Sequence, residues 1–256
     1  MSGISSSKLL GGFATNREVL TWNIGGLNTD TTFAGQIAEQ NTNAITAINK
    51  TGTGTWTLTG SNTFSGGMTV SEGTLQVNNT NGSATGTNQV FVATSATLSG
   101  SGIIGGLTAF DDGAILAPGN GIGTLTISNE LDLSDLTALQ FGLGTNSDKV
   151  VVSGNLVLGG QLNLADAGGF GTGTYTLFTY GGALTLGNLT VAAAPAGFIY
   201  AISTSTSGQI NLIVTRPQFN AVGSGTGGLV MSGSGGAPNG IYYVLSSTNI
   251  ALPLNL

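Results

Sequence analysis

Apolar and polar positions alternate with a period of two along most of this chain, from about Leu20 to Val214. Trp56 and Leu58 alternate with Thr55, Thr57 and Thr59, and Leu75 and Val77 with Thr74 and Gln76. Leu125 and Ile127, Leu131 and Leu133, Val150 and Val152, Leu156 and Leu158, Leu162 and Leu164, Leu189 and Val191, and then Ile210, Leu212 and Val214 continue the pattern. This is how half-buried strands look, because successive side chains of an extended backbone point to opposite faces. The strands are short and broken by glycine. Only positions 36–49, with Ala38-Glu39-Gln40 and further alanines, lean towards helix. The expectation there is a loop or at most one helical turn.

Short strands with glycine-rich breaks suit an antiparallel sandwich, a barrel or a parallel solenoid. The run Leu156-Val157-Leu158-Gly159-Gly160-Gln161-Leu162-Asn163-Leu164 separates them. A two-residue Gly-Gly hairpin would set Leu158 opposite Gln161 and Leu156 opposite Asn163, and cross-strand partners share a face. One leucine pair would then lie on each side of the sheet. A corner between two strands of one coil turns both pairs inward, and this favours a parallel solenoid. Leu186 and Leu189 around Gly187-Asn188 would suit a hairpin equally well.

The stretch from Gly52 to Leu75, GTGTWTLTGSNTFSGGMTVSEGTL, resembles the autotransporter-associated β-strand repeat of passenger domains on Gram-negative surface proteins. Its glycine spacing, the Asn62-Thr63-Phe64 step and the closing Gly73-Thr74-Leu75 carry the likeness. Positions 96–106, 115–127 and 148–164 are similar to the coils that follow it in such passengers. The resemblance implies an all-β, right-handed parallel β-helix displayed at or beyond the outer membrane. The expected division is an N-terminal cap or assembly segment over 1–24, the β-helix over 25–215, and a Gly/Ser-rich linker with a small C-terminal β segment over 216–256. Unlike autotransporters that carry their own translocator, this sequence shows neither a barrel nor a signal peptide, so it is expected to be a piece of something longer or to have lost its signal.

Composition narrows the chemistry. The 256 residues include no cysteine and no histidine, 5 Lys+Arg, 11 Asp+Glu and 44 Gly, for a net charge of −6. Without clustered cations, neither nucleic acid nor an anionic membrane is an expected partner. The absent thiols and imidazoles remove the commonest metal ligands and general base, and no cofactor is expected. No apolar run reaches the ~18 residues that span a bilayer.

A β-helix can host paired carboxylates for glycan cleavage, so the acids need individual readings. Asp111 and Asp112 are adjacent and read as a solvated turn. Asp132 and Asp135 bracket Leu133, with Asp135 a turn acceptor. Asp148 and Lys149 read as an exposed ion pair. Gly119-Asn120-Gly121-Ile122-Gly123 lacks the lysine and following helix of a phosphate loop and reads as a coil corner. Calcium at Asp111, Asp112 and Asn120 is a weak alternative, because the nine-residue calcium repeat is absent. Trp22, Trp56, Phe64, Phe91, Phe141, Phe178, Tyr180, Tyr200, Tyr242 and Tyr243 read as core plugs rather than sugar platforms.

The expected function is a non-enzymatic extracellular structural or adhesin-like rod, with a glycan lyase, hydrolase or glycan-binding module as the alternative. Exposed ladder ends are templates for pairing. Head-to-tail self-association through Val19, Leu20 and Trp22 at one end and Tyr242, Tyr243, Leu252 and Leu254 at the other is therefore expected, with a surface glycan or cell-surface ligand as a further partner.

Overall fold

Short alternating segments cannot bury a face alone, and here they do so by stacking. The computed structural model describes residues 7–12, 15–225 and 228–234. After β1 (Lys8–Leu10), the first level holds β2 (Glu18–Ile24), β3 (Thr31–Phe33) and β4 (Gln36–Ala38). The second has β5 (Ala44–Lys50) and β6 (Thr55–Leu58), and the third β7 (Met68–Val70) and β8 (Thr74–Val77). The fourth has β9 (Val90–Val92), β10 (Thr97–Gly100) and β11 (Ile103–Ile104). The fifth has β12 (Thr108–Phe110), β13 (Ile115–Pro118) and β14 (Thr124–Ile127), and the sixth β15 (Leu131–Leu133), β16 (Ala138–Leu143) and β17 (Lys149–Val152). The seventh has β18 (Leu156–Asp166) and β19 (Gly173–Tyr180), and the eighth opens with β20 (Leu184–Ala193). β21 (Ile199–Ser203), β22 (Gln209–Thr215), β23 (Gln218–Gly225) and β24 (Gly228–Ser234) follow.

The levels form a parallel β-helix with three faces. The first face runs β2-β5-β7-β9-β12-β15-β18 and the second β3-β6-β8-β10-β13-β16-β18; β20 pairs with β18, and β11-β14-β17-β19 make the third. Pairing is parallel throughout these ladders, with partners from 18 residues apart (Val90 and Thr108) to 30 apart (Asn163 and Ala193). From β2 to β20 the stack rises about 34 Å, at ~4.8 Å per level.

Inside, each face contributes columns of side chains. Trp56, Leu75, Leu98, Leu116, Leu139 and Leu162 are successive partners on the second face, all buried. Val70, Val92, Phe110, Leu133 and Leu158 form a column on the first. Burial of such columns is the main stabilising term, at about 25 cal/mol per Å² of apolar surface. Lys50 interrupts this chemistry. Its buried ammonium donates to the carbonyls of Thr51, Gly52 and Glu72 at 2.8–3.0 Å, which ties the second level to the third.

The Gly159-Gly160 corner turns both leucine pairs inward. β18 passes straight through it, pairing with β15 before the glycines and with β16 after them, and Leu156, Leu158, Leu162 and Leu164 are all buried. Gly160 takes φ +124°, and a Cβ there would lie 2.9 Å from the Thr137 carbonyl oxygen. Leu186 and Leu189 do not form a hairpin. β20 lies parallel to β18, with Leu158 beside Leu186 and Gly160 beside Leu189.

Two expectations are corrected. Positions 36–49 carry strands, because Ala44, Thr46, Ile48 and Lys50 point inward at period two and parallel pairing overrides the local helical leaning. The closing strands β21 and β22 are antiparallel to each other, and β22 is antiparallel to β19, although 25–215 was expected to be parallel. Here the chain reverses over an aromatic plug. Phe170 stacks on Tyr175 at 5.3 Å and meets Phe198 edge-on at 5.1 Å, and the Arg216 guanidinium lies 4.6 Å from the Phe198 ring centre. β23 and β24 pair antiparallel with each other within the stretch read as a linker. Among the described residues there is no α-helix, and none long and apolar enough to cross a membrane.

Candidate functional site

The outward row of the second face is polar and uncharged. Pairing sets Thr32, Thr57, Gln76 and Ser99 in line with Ala117, and Gln140 with Asn163 on the levels beyond. Thr57 donates to the Gln76 side chain at 3.1 Å, as neighbours on one face of a ladder do.

The 119–123 loop between β13 and β14 folds back over this row. Gly119 and Gly121 supply the necessary positive φ, +86° and +97°, and Gly119 exchanges backbone hydrogen bonds with Gly100. Gln76 Nε2 donates to Asn120 Oδ1 at 3.2 Å, which fastens the loop across two levels. Beneath it is a cavity of about 830 Å³, lined by Gln76, Ser99, Asn120, Ile122, Gln140 and Asn163 among others. Ser99 Oγ is buried there without a hydrogen-bond partner.

Asp148 anchors the roof. It is not the exposed partner of Lys149 that its sequence position suggested: it is buried, Oδ1 accepts Gly123 N–H at 2.8 Å and Oδ2 accepts Gly142 N–H at 2.7 Å. Burial raises its pKa above 3.8, against the opposing pull of the Gly142 and Gly123 bonds. A raised folded-state pKa contributes stability that is complete below about pH 3.8 and lost as pH rises through the folded value. Compared by thermal melting across pH, the stability advantage of the wild type over Asp148→Asn should narrow as pH rises through the acidic range. A gap that widens would mean the carboxyl pKa is depressed.

The other candidate acids lie apart. Asp111 and Asp112 are exposed in the turn after β12, where the Thr94 hydroxyl donates to the Asp112 carbonyl at 2.9 Å. Asp132 is exposed on the first face, and Asp135 accepts the Asn188 N–H at 2.7 Å, pinning the sixth level to the eighth. Asn120 belongs to the groove and pairs with Gln76 rather than with Asp111 or Asp112. Among the described residues no three acids stand close enough to hold a metal ion. Trp56, Phe64, Phe141 and Phe178 are core, with Phe141 and Phe178 tilted against each other at 5.4 Å, whereas Phe91 is half-buried on the outward row of the first face.

Of the assembly residues, Val19 is 60% and Leu20 45% exposed on β2, the outermost strand of the first face, and Trp22 is half-buried beside them. Tyr242, Tyr243, Leu252 and Leu254 lie outside the described residues. At the opposite end β20 exposes Leu186.

With this geometry in hand, comparison with known proteins adds a family model described as the passenger-associated-transport-repeat, which matches residues 48–77. The chain carries an autotransporter passenger repeat. The matched residues are the ones that build the second and third levels, from Ile48 through Trp56, Asn62 and Phe64 to Val77. The chain is 37% identical over 284 aligned residues to the adhesin BmaC autotransporter of Brucella suis biovar 1 (strain 1330), covering 81% of this chain and 8% of that protein. It is 33% identical over 120 residues to an extracellular serine protease of Serratia marcescens, covering 46% of this chain and 11% of the protease. It thus spans about a tenth of the length of these relatives. The passenger repeat and both relatives place it outside the cell or on the surface of a Gram-negative bacterium.

Sequence reasoning did not find the groove. Gln76, Ser99, Gln140 and Asn163 are ordinary polar positions in strands until pairing aligns them. The signal available was an interruption of the Thr-rich outward positions by the amides Gln76, Gln140 and Asn163.

Proposed function

We propose that this passenger segment is a non-enzymatic adhesive rod. The observation that carries it is the uncharged outward row of the second face, held on a stiff stack and gathered under the 119–123 loop. Likeness over four-fifths of the chain to an adhesin supports the same reading. Glycan cleavage needs two carboxylates facing one cleft. The groove has Asp148 alone, and both of its oxygens are taken by backbone N–H groups. A serine-nucleophile mechanism on the usual plan needs a base beside the hydroxyl, and these 256 residues include no histidine. Beads coated with the protein should adhere to host-cell surfaces, and a panel of oligosaccharides incubated with it should yield no new reducing ends or unsaturated products. Released product would establish the enzyme reading instead.

The ends favour lengthwise association. Val19 and Leu20 on β2, and Leu186 on β20, present apolar side chains beside ladder edges that have no partner strand among the described residues. Such edges recruit further strands. Sedimentation should show species larger than a monomer as concentration rises, diminished by Val19→Lys. A monomer at every concentration would sink head-to-tail assembly.

A further inference from the structure

We propose that the groove under the 119–123 loop binds a neutral, hydroxyl-rich oligosaccharide laid along the rod axis; this rests on the adhesive reading above and names its ligand class. The floor from Gln76 to Asn163 covers five levels, about 19 Å, so one polar side chain recurs every ~4.8 Å except where Ala117 leaves a gap. Amides and hydroxyls each donate and accept, as sugar hydroxyls do. The Gln140 amide has no hydrogen-bond partner among the described residues and is exposed, and Asn163 uses only its Nδ2, on the Gln161 carbonyl at 3.0 Å. Ile122, 38% exposed on the roof, and Ala117 on the floor offer apolar surface to ring C–H groups.

Ser99 is the second, independent sign. It is 8% exposed, and its hydroxyl lies on the groove floor with no partner. Leaving a buried hydroxyl unpaired is unfavourable. A sugar hydroxyl entering beneath the Asn120 loop would satisfy it.

Charge and backbone chemistry select among ligands. No lysine or arginine lines the groove, and its one carboxylate is already bonded, so an acidic glycan gains nothing there. An extended peptide binds a sheet by adding to an open edge. This groove lies on a sheet face, where the ladders already use the backbone groups.

The test is isothermal titration of the intact protein with neutral gluco-, manno- and galacto-oligosaccharides, a uronate oligomer and a Ser/Asn-rich peptide. A neutral oligosaccharide should bind, and Gln140→Ala with Asn163→Ala should weaken it by about tenfold or more. Ser99→Ala should leave the melting temperature unchanged or raised while weakening binding, a split that a purely structural serine would not give. Asp132→Ala on the first face should have no effect. Tighter binding of the uronate or the peptide, no neutral binder, or wild-type affinity in the double variant would each overturn the proposal. Bead adhesion measured on the same variants separates the two readings: adhesion equal in wild type and double variant removes the groove and leaves the adhesin, and no adhesion by the wild type removes the adhesin.

Discussion

Trp56→Ala is expected to destabilise the protein by about 3–5 kcal/mol, the range for emptying a large aromatic site in a packed core. Trp56 is 1% exposed and stands at the head of the second-face column, between Thr31 of the first level and Leu75 of the third. Three levels therefore lose contacts at once. Collapse around the cavity is restricted because β6 is held by parallel ladders on both sides, to β3 and to β8. In a solenoid the loss is felt at nearest-neighbour interfaces, so it should appear as earlier unfolding of the first three levels. Trp56→Phe gives a sharper control. The Trp56 Nε1–H is buried without a partner, so phenylalanine removes an unsatisfied donor while keeping most of the ring. Its cost should be about 1 kcal/mol or less. Urea unfolding followed by the fluorescence of Trp22, on the first level, checks both, and an alanine cost near that of phenylalanine would show that packing does not dominate at this position.

The same residues explain how much was readable beforehand. Period-two alternation around Trp56, Leu75 and Leu158 reports which side chains go inward, and the Gly159-Gly160 run decided between corner and hairpin because only one arrangement buries four leucines. Both are local properties. Pairing register is not, and the groove depends on it: Gln140 and Asn163 lie 23 residues apart and become neighbours only through the β16–β18 ladder. Asp148 misled for a related reason. Its sequence neighbour Lys149 suggested an ion pair, but strand geometry sends adjacent side chains to opposite faces, and Asp148 turns to the N–H groups of Gly123 and Gly142. At 36–49, alanines and Glu39 favoured helix only in isolation. Once β2 and β7 offered ladders on either side of β5, the extended form satisfied its backbone groups.

Asn62→Ala should cost about 2–6 kcal/mol, because it removes one side chain that serves two buried backbone groups, each worth about 1–3 kcal/mol when left unpaired. Asn62, 2% exposed, accepts the Ile37 N–H of the first level at 2.7 Å and donates to the Ala84 carbonyl of the third. Its own N–H bonds the Ser83 carbonyl at 2.7 Å. The residue thus links three levels at a corner where no strand runs, which gives a physical reason for an asparagine between Gly60 and Phe64 of the passenger repeat. Asn79 repeats the device: its Oδ1 accepts the Ile103 N–H at 2.8 Å and its Nδ2 donates to the Asn81 and Gly82 carbonyls at 3.0 Å. Asn62→Asp distinguishes hydrogen bonding from shape. It keeps the acceptor for Ile37, replaces the amide donor to Ala84 with an O–H that exists only while the carboxyl is protonated, and introduces a group whose pKa burial raises. Such a group stabilises the fold least when ionised, so the aspartate variant should be closest to wild type in acid and fall away as pH rises, whereas the alanine variant should show a loss that does not change with pH. Chemical denaturation of both variants across the acidic to neutral range measures this. Parallel curves for Asp and Ala would mean that residue 62 fills space at the corner without bonding the levels together.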